Sequence, residues 1–220
     1  MNDAKGFTLV EMAVVLVIMG LLLGGILMPL STQMEQRRIQ ETRQAMDQIK
    51  EALLGFAIIN GRFPCPARPA TATGTSFGGF SAGEADCANA VGVLPWATLG
   101  LPETDAWGRR YSYRVSLNND FTATFGLASV GDMTVLDTLG GQPIATQVPV
   151  IIVSHGNNGF NAWLPSGVQM AASTDGDENA NDMADTTFVN KTPTATYDDL
   201  VAWIPLAVLM NRMVAAGTLP

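Results

Sequence analysis

The feature that most constrains this chain is the apolar run over residues 7–30, FTLVEMAVVLVIMGLLLGGILMPL, in which Glu11 is the only charged residue. A helix of roughly 20 apolar residues crosses the hydrocarbon core of a bilayer, so this run is long enough to span a membrane. A carboxylate inside such a helix is costly unless it is paired, and such residues are commonly functional. The run therefore predicts a transmembrane helix whose one acidic residue has a specific role.

Two ordinary interpretations of the apolar run compete with a functional one. A secretory signal peptide has an apolar region of about 7–15 residues and a small-residue cleavage site, but no Ala-x-Ala follows this run. A plain membrane anchor fits the hydropathy and leaves Glu11 unexplained. Glu11 requires a positive partner, which is Lys5 in an uncut chain or the α-amine of Phe7 after a cut before that residue.

Residues 5–11, KGFTLVE, resemble the type III signal of type IV pilins and type II secretion pseudopilins. In that family an aspartic prepilin peptidase cuts after the glycine on the cytoplasmic face and methylates the new N-terminus. The resemblance implies a leader over residues 1–6, cleavage between Gly6 and Phe7, and N-methylation of Phe7. It also implies that the helix over residues 7–30 stays in the bacterial inner membrane.

Cleavage would create an amine at Phe7, one helical turn from Glu11. An acidic side chain is favoured near a helix N-terminus, where a cation is disfavoured. When helices pack side by side, Glu11 of one subunit can meet the Phe7 amine of a neighbour. Because an unpaired buried charge is expensive, this pair would set the register between subunits. The alternative is that Glu11 only lies among lipid headgroups.

Gly20 and Pro29 interrupt the apolar helix. Glycines in membrane helices also allow close packing, which is the simpler explanation for Gly20. The resemblance implies that the stretch between Gly20 and Pro29 kinks or unwinds in an assembled filament. Proline provides a mechanism, since it is among the common causes of helix kinks.

Residues 31–60 are predicted to continue the helix beyond the membrane in amphipathic form. Apolar or small residues recur there at spacings of three and four, which is the helical period. They are Ile39, Thr42, Met46, Ile49, Leu53 and Phe56. Asn60, Gly61 and Pro64 then predict the end of the helix.

Residues 61–220 are predicted to form a small periplasmic domain. Cys65 and Cys87 are the only cysteines, and they flank a loop rich in Ala, Thr, Gly and Ser. A location outside the cytoplasm favours a disulfide between them. Two free thiols become the better interpretation only if the predicted topology is wrong.

Residues 105–113, DAWGRRYSY, resemble the Asp-Pro-Trp-Gly-x-x-Tyr-x-Tyr segment of major pseudopilins, with Ala106 in place of the usual proline. The segment predicts a turn that leads into a strand, with Tyr111, Tyr113 and Val115 on one face. We interpret it as structural.

Two further segments, residues 121–130 and 148–154, are rich in β-branched or aromatic residues and predict strands. The expected fold class is α+β and type IV pilin-like. A long N-terminal helix would pack on an antiparallel sheet of three or four strands. Residues 206–216 predict a C-terminal helix that covers the sheet, or less favourably docks a partner.

The most acidic part of the chain is the loop over residues 173–199, which contains DGDENANDMAD at 175–185. Oxygen ligands in a flexible loop suit Ca²⁺, although the spacing is not that of an EF-hand. A solvated acidic loop is the simpler interpretation. Major pseudopilins fold such a loop around Ca²⁺ before an Asp-x-x-x-Trp segment, which residues 199–203, DLVAW, resemble. The resemblance implies a Ca²⁺ site, and the candidate ligands are Asp182, Asp198 and Asp199.

Few residues suited to catalysis are available. The chain has one histidine, His155, and two cysteines, so His/Cys metal cages lack parts. Ser154 precedes His155 on what is predicted to be a strand end, and no third catalytic group is identifiable. We expect a turn there and no enzyme activity. The net charge of −8 argues against a nucleic-acid partner.

The resemblance thus implies a structural subunit of a type II secretion pseudopilus, which assembles from the inner membrane into a helical filament and promotes protein export. The resemblance implies as partners the prepilin peptidase, copies of the chain, other pseudopilins, an inner-membrane assembly platform and the lipid bilayer. One alternative is a major or minor type IV pilus subunit serving adhesion, motility or DNA uptake. Another is a monomeric, membrane-anchored periplasmic binding domain, which predicts no cleavage before Phe7.

Overall fold

The computed structural model describes residues 6, 8–71, 73–75, 87, 90–116 and 121–219, with the side chains of residues 22–30 left out. Phe7 and the predicted leader, apart from Gly6, lie outside the described residues. The chain divides into two compact units, Met1–Gln40 and Glu41–Pro220.

Helix α1 covers Leu9–Asn60, so its first part belongs to the first unit and its last part to the second. The helix is uninterrupted at Gly20 and Pro29 in this single chain, so the break expected in an assembled filament stays a prediction. Each described side chain from Leu9 to Leu21 is exposed. Within the part of the chain that the structure describes, none of the helices is both long enough and apolar enough to cross a membrane.

In the second unit, α1 buries one face. The buried residues of this face recur at helical spacing, as the amphipathic pattern predicts. They are Thr42, Met46, Ile49, Leu53, Leu54 and Ala57. The helix ends at Asn60. Gly61 follows with a positive φ of 68°, which suits a glycine, and its N–H donates to the Ala57 carbonyl at 2.8 Å.

The main sheet of the second unit consists of β1 (Val91–Val93), β2 (Ser112–Val115), β5 (Val150–Ser154) and β7 (Leu200–Ile204). These four strands are antiparallel and lie in the order β1–β2–β5–β7. Tyr111, Tyr113 and Val115 are buried, at most 1% exposed, as the alternation over this segment predicts. An N-terminal helix packed on an antiparallel sheet agrees with the predicted α+β class.

A second sheet of three strands was not predicted. Its order is β4–β3–β6, with β3 over Met133–Leu136, β4 over Pro143–Val148 and β6 over Thr187–Val189. β3 pairs with β4 antiparallel and with β6 parallel. The strand predicted over residues 148–154 is confirmed as β5, which begins at Val150, two residues later than predicted. Val148 ends β4, and Pro149 separates the two strands because proline cannot donate to a ladder.

The strand predicted over residues 121–130 is wrong, since these residues form turns and irregular backbone. Phe121 and Phe125, which suggested a strand, are buried in an aromatic cluster with Phe63, and their ring centroids lie 5.1–6.5 Å apart. Apolar content alone cannot distinguish a buried irregular segment from a strand. Packing against Phe63 is the reason these residues are apolar.

The described residues of the second unit also include three further helices and a disulfide. α2 covers Trp96–Leu99, α3 covers Gly176–Asn179 and α4 covers Leu206–Ala215. α4 lies beside α1, where Arg212 pairs with Glu51 at 3.7 Å. Cys65 and Cys87 form the predicted disulfide, with a Cα–Cα distance of 5.4 Å.

Candidate functional site

The start of α1 is closed by a reciprocal cap between Thr8 and Glu11. The Thr8 backbone N–H and hydroxyl both donate to Glu11 Oε2 at 2.8 Å, and the Glu11 N–H donates to Thr8 Oγ1 at 3.3 Å. This is a capping box, which satisfies N–H groups that a helix leaves unpaired at its first turn. The Thr-x-x-Glu spacing is a sequence signal for such a cap, and the sequence reasoning overlooked it.

Gly6 has no packing role in the described structure. A Cβ added there would meet nothing within 4 Å, so neither crowding nor close backbone approach explains a glycine at this position. Phe7, the other half of the predicted cleavage site and of the predicted charge pair with Glu11, lies outside the described residues. Cleavage, methylation and the Phe7–Glu11 pair therefore stay predictions.

The acidic loop brings three carboxylates together in the second unit. Glu178, Asp198 and Asp199 each place an oxygen so that all three lie within 4.8 Å of one another. Asp182, the third predicted ligand, is not in this group. Its Oδ1 instead accepts the N–H of Ala184 at 2.7 Å. Glu178 was missed because spacing along an acidic run does not show which side chains turn inward.

Two of these carboxylates are fixed by neighbouring donors. Glu178, fully buried, accepts from Asn158 Nδ2 and from Ser173 Oγ, both at 2.6 Å. Asp198 Oδ2 accepts the backbone N–H groups of Asn157 and Asn158, each at 2.8 Å. The turn after β5 therefore holds both acids in place.

Two oxygens of the cluster have no hydrogen-bond partner among the described residues. Asn181 donates to Asp199 Oδ2 at 2.9 Å, while Asp199 Oδ1 and Asp198 Oδ1 are buried without a partner. Burial raises the pKa of Asp198 to about 6 and also raises the pKa of Asp199. Three carboxylates that converge, two of them with a buried oxygen that accepts no hydrogen bond, fit a bound cation.

The only histidine follows β5 at the start of the predicted turn, which covers residues 156–158, and it lies beside the cluster. His155 Nε2 lies 2.9 Å from Ser112 Oγ, and His155 Nδ1 lies 3.5 Å from Asp199 Oδ1, which is longer than a hydrogen bond. Sequence reasoning found no third group because Ser112 and Asp199 come from β2 and the loop end. All three residues are at most 3% exposed, so the Ser112 hydroxyl is buried in this structure.

The segment over residues 105–113 binds, through hydrogen bonds, the turn after β5 that holds the carboxylate cluster. Asp105 Oδ1 accepts the N–H groups of Trp107 and Arg109 at 2.9 Å, and Asp105 Oδ2 accepts from Ser154 Oγ at 2.7 Å. Arg109 in turn donates to the carbonyls of Gly156 and Asn157. This geometry accords with the structural role that the sequence predicts for the segment.

Comparison with known proteins adds one finding at the N-terminus. A family model described as the prokaryotic N-terminal methylation motif matches residues 1–27. The chain therefore carries a type IV pilin-like prepilin signal. No curated protein and no solved structure matches the chain.

Proposed function

We propose that this chain is a structural subunit of a type II secretion pseudopilus, cut after Gly6, methylated on Phe7 and assembled from the inner membrane into a filament. The observation that carries the proposal is the match of residues 1–27 to the methylation motif. The capped Glu11 supports it, because the cap leaves the carboxylate at the end of the helix where a cut would expose an amine. The role is mechanical and needs no catalysis.

The second unit belongs, on this proposal, on the periplasmic side of the membrane. The Cys65–Cys87 disulfide supports that placement, because disulfides persist in oxidising compartments and are rare in the cytoplasm. The exposed apolar residues from Leu9 to Leu21 would lie first in the bilayer and then against neighbouring helices in the filament. Gly20 and Pro29 would supply the break in the assembled helix.

The pseudopilus is favoured over a type IV pilus by two features of the second unit. One is the segment over residues 105–113, which resembles that of major pseudopilins and ties the turn at Gly156 to the sheet. The other is the carboxylate cluster, which lies where the resemblance implies a Ca²⁺ site.

We further propose that Glu178, Asp198 and Asp199 bind one Ca²⁺. Ca²⁺ is coordinated by six to eight oxygens at about 2.3–2.6 Å, so one ion can touch oxygens that lie within 4.8 Å of one another. The Oδ1 atoms of Asp198 and Asp199, which accept no hydrogen bond, are the ones that would coordinate the ion. Bound Ca²⁺ would tie the loop that ends at β7 to the turn after β5.

A gene deletion tests the proposed function against the pilus alternative. In bacteria that lack this chain, a pseudopilus subunit predicts that secreted proteins accumulate in the periplasm while adhesion, motility and DNA uptake are unchanged. Complementation with the full chain should restore secretion, and complementation with Glu11→Ala should not. Normal secretion with lost adhesion, motility or DNA uptake would instead assign the chain to a type IV pilus.

A further inference from the structure

The imidazole of His155 is buried, and one of its ring nitrogens is not satisfied by a hydrogen bond. The residue is 1% exposed. Its Nε2 lies 2.9 Å from Ser112 Oγ, whereas its Nδ1 has no hydrogen-bond partner among the described residues. Such atoms are uncommon, because leaving a buried polar atom unpaired costs free energy. The surroundings of Nδ1 therefore indicate what the side chain does.

Beside Nδ1 lies an oxygen of the proposed metal site. Asp199 Oδ1, which also accepts no hydrogen bond, is 3.5 Å from Nδ1. The other oxygen of this carboxylate, Oδ2, accepts from Asn181 Nδ2 at 2.9 Å. The distance of 3.5 Å exceeds a hydrogen bond, but both side chains are buried, where weak screening strengthens the attraction between an N–H dipole and a carboxylate. Asp199 thus has an amide on one oxygen and the imidazole beside the other.

The geometry favours a proton on Nδ1 of His155. A neutral imidazole has one N–H and one bare nitrogen, and the partner of one nitrogen decides which of them carries the proton. A bare Nδ1 would place its lone pair next to those of Asp199 Oδ1, whereas an N–H there is attracted to that oxygen. Nε2 then accepts from the Ser112 hydroxyl. A charged ring carries the same N–H on Nδ1, so the arrangement holds in either charge state.

We propose that His155 is a positioning residue for the Ca²⁺ site, in which Nδ1–H holds Asp199 Oδ1 in place for the ion while Ser112 fixes the ring. This role rests on the proposed binding of Ca²⁺ by Glu178, Asp198 and Asp199. A carboxylate oxygen has two lone pairs, so Oδ1 can attract the N–H and bind the ion at the same time. Removing a group that orients a metal ligand commonly lowers the metal affinity about 10–100-fold.

Two amide substitutions at His155 give a matched pair of variants. The amide of Asn can place an N–H close to the position of Nδ1, and the longer Gln places one close to the position of Nε2. Isothermal titration calorimetry of the full chain in detergent micelles measures their affinity for Ca²⁺. His155→Asn should bind within about threefold of the parent chain, and His155→Gln should bind about tenfold more weakly or worse. A purely structural histidine would give the Asn variant no such advantage.

Terbium luminescence gives a readout that a loss of fold stability alone does not move. Tb³⁺ takes the place of Ca²⁺, and its luminescence lifetimes in H₂O and D₂O count the water molecules on the ion. The ion in His155→Gln should carry about one more water than in the parent chain, because a water replaces the Asp199 oxygen. The ion in His155→Asn should carry the same number as in the parent chain.

The metal-free parent chain tests the geometry without any variant. A long-range ¹H–¹⁵N NMR spectrum of the full chain in micelles should show a proton on Nδ1 of His155, and a bare Nδ1 would overturn the proposal. Equal Ca²⁺ affinities of the Asn and Gln variants, or equal water counts, would also overturn it. These results would leave the Ca²⁺ site itself in place. A parent chain that binds no Ca²⁺ would overturn the site and the positioning role together.

Discussion

The two units of the chain differ in the exposure of their apolar side chains. In the Met1–Gln40 unit, Leu9, Leu16 and Leu21 are 87%, 66% and 73% exposed. In the Glu41–Pro220 unit, Leu53 and Leu94 are completely buried. Both sets include residues of the same helix, α1, so helix propensity cannot account for the difference.

This contrast shows where each unit obtains its stabilisation. Buried side chains in the second unit contribute through packing and exclusion of water, about 25 cal/mol per Å² of apolar surface. The exposed side chains of the first unit gain nothing comparable within a single chain. Their contribution must come from surroundings outside it, which the proposed function identifies as lipid and neighbouring subunits. Substitutions in the two units should therefore have separable effects.

The largest effect is expected for Glu11→Ala, which should affect filament assembly without affecting the stability of the globular unit. Filament assembly, followed by electron microscopy of cells that produce the variant alone, should be lost because the amine of a neighbouring subunit loses its partner. The melting temperature of the globular unit should not change. Glu35→Ala removes a carboxylate from the same helix beyond the apolar run and should assemble. Normal filaments from Glu11→Ala would refute the charge-pair account.

A matched pair of leucines on α1 gives the next largest effect. Leu53→Ala should lower the free energy of unfolding by about 2–5 kcal/mol, because it leaves a cavity in a closed core. Leu16→Ala deletes the same atoms from the exposed run and should leave that free energy unchanged while weakening assembly. Chemical denaturation of both variants in micelles provides the measurement. Equal destabilisation would mean that the run packs within the chain.

The disulfide should affect the second unit alone. Replacing both cysteines, Cys65→Ser with Cys87→Ser, should lower the free energy of unfolding by about 2–4 kcal/mol, since the bridge restricts the unfolded chain. Helix α1 over the first unit should keep its circular-dichroism signal. The control is the parent chain with a reductant, which should melt like the double variant. An unchanged melting temperature in both would contradict a closed disulfide.

Calcium should give a smaller, pH-dependent effect. Because burial raises the pKa of Asp198 from 3.8 to about 6, the metal-free domain should lose stability as the pH rises through that range, where the half-buried carboxylate ionises. Saturating Ca²⁺ should raise the melting temperature above about pH 6, by the equivalent of about 2.7 kcal/mol at a hundredfold excess over Kd. Near about pH 4, where the carboxyl is protonated, Ca²⁺ should do little.

Two asparagine variants sharpen the calcium prediction. Asp198→Asn should abolish both the Ca²⁺ response and its pH dependence. Asp182→Asn should keep both, because Asp182 lies outside the cluster. A Ca²⁺ response that disappears with Asp182→Asn and survives Asp198→Asn would show that the ion binds elsewhere in the loop.

Periodic patterns of apolar residues predicted the secondary structure where a single period, helical or alternating, was kept over several repeats. The apolar spacing from Ile39 to Phe56 indicated the helix, and the alternation at Tyr111, Tyr113 and Val115 indicated β2. The second sheet was not predicted, because its strands are short and because β6 pairs with β3, which lies about fifty residues earlier in the chain. Phe121 and Phe125 led to a wrong prediction of a strand, because a buried loop and a strand can have the same apolar content.

The candidate site was only partly predictable for a related reason. Asp198 and Asp199 were found because they adjoin a recognisable segment, residues 199–203. Glu178 and the donors Asn158 and Ser173 come from other parts of the chain, and only the folded backbone brings them together. The Thr8–Glu11 cap, by contrast, is local, and its Thr-x-x-Glu spacing would have sufficed to predict it.

The central claim is that the chain is processed at its N-terminus so that Glu11 faces a new amine. Intact-mass measurement of the protein extracted from membranes of the bacteria that produce it tests this most directly. The account predicts loss of residues 1–6 and the mass of one added methyl group on Phe7. It also predicts that Gly6→Val stays uncut yet melts normally, since Gly6 packs against nothing. A parent chain that retains residues 1–6 would contradict the account.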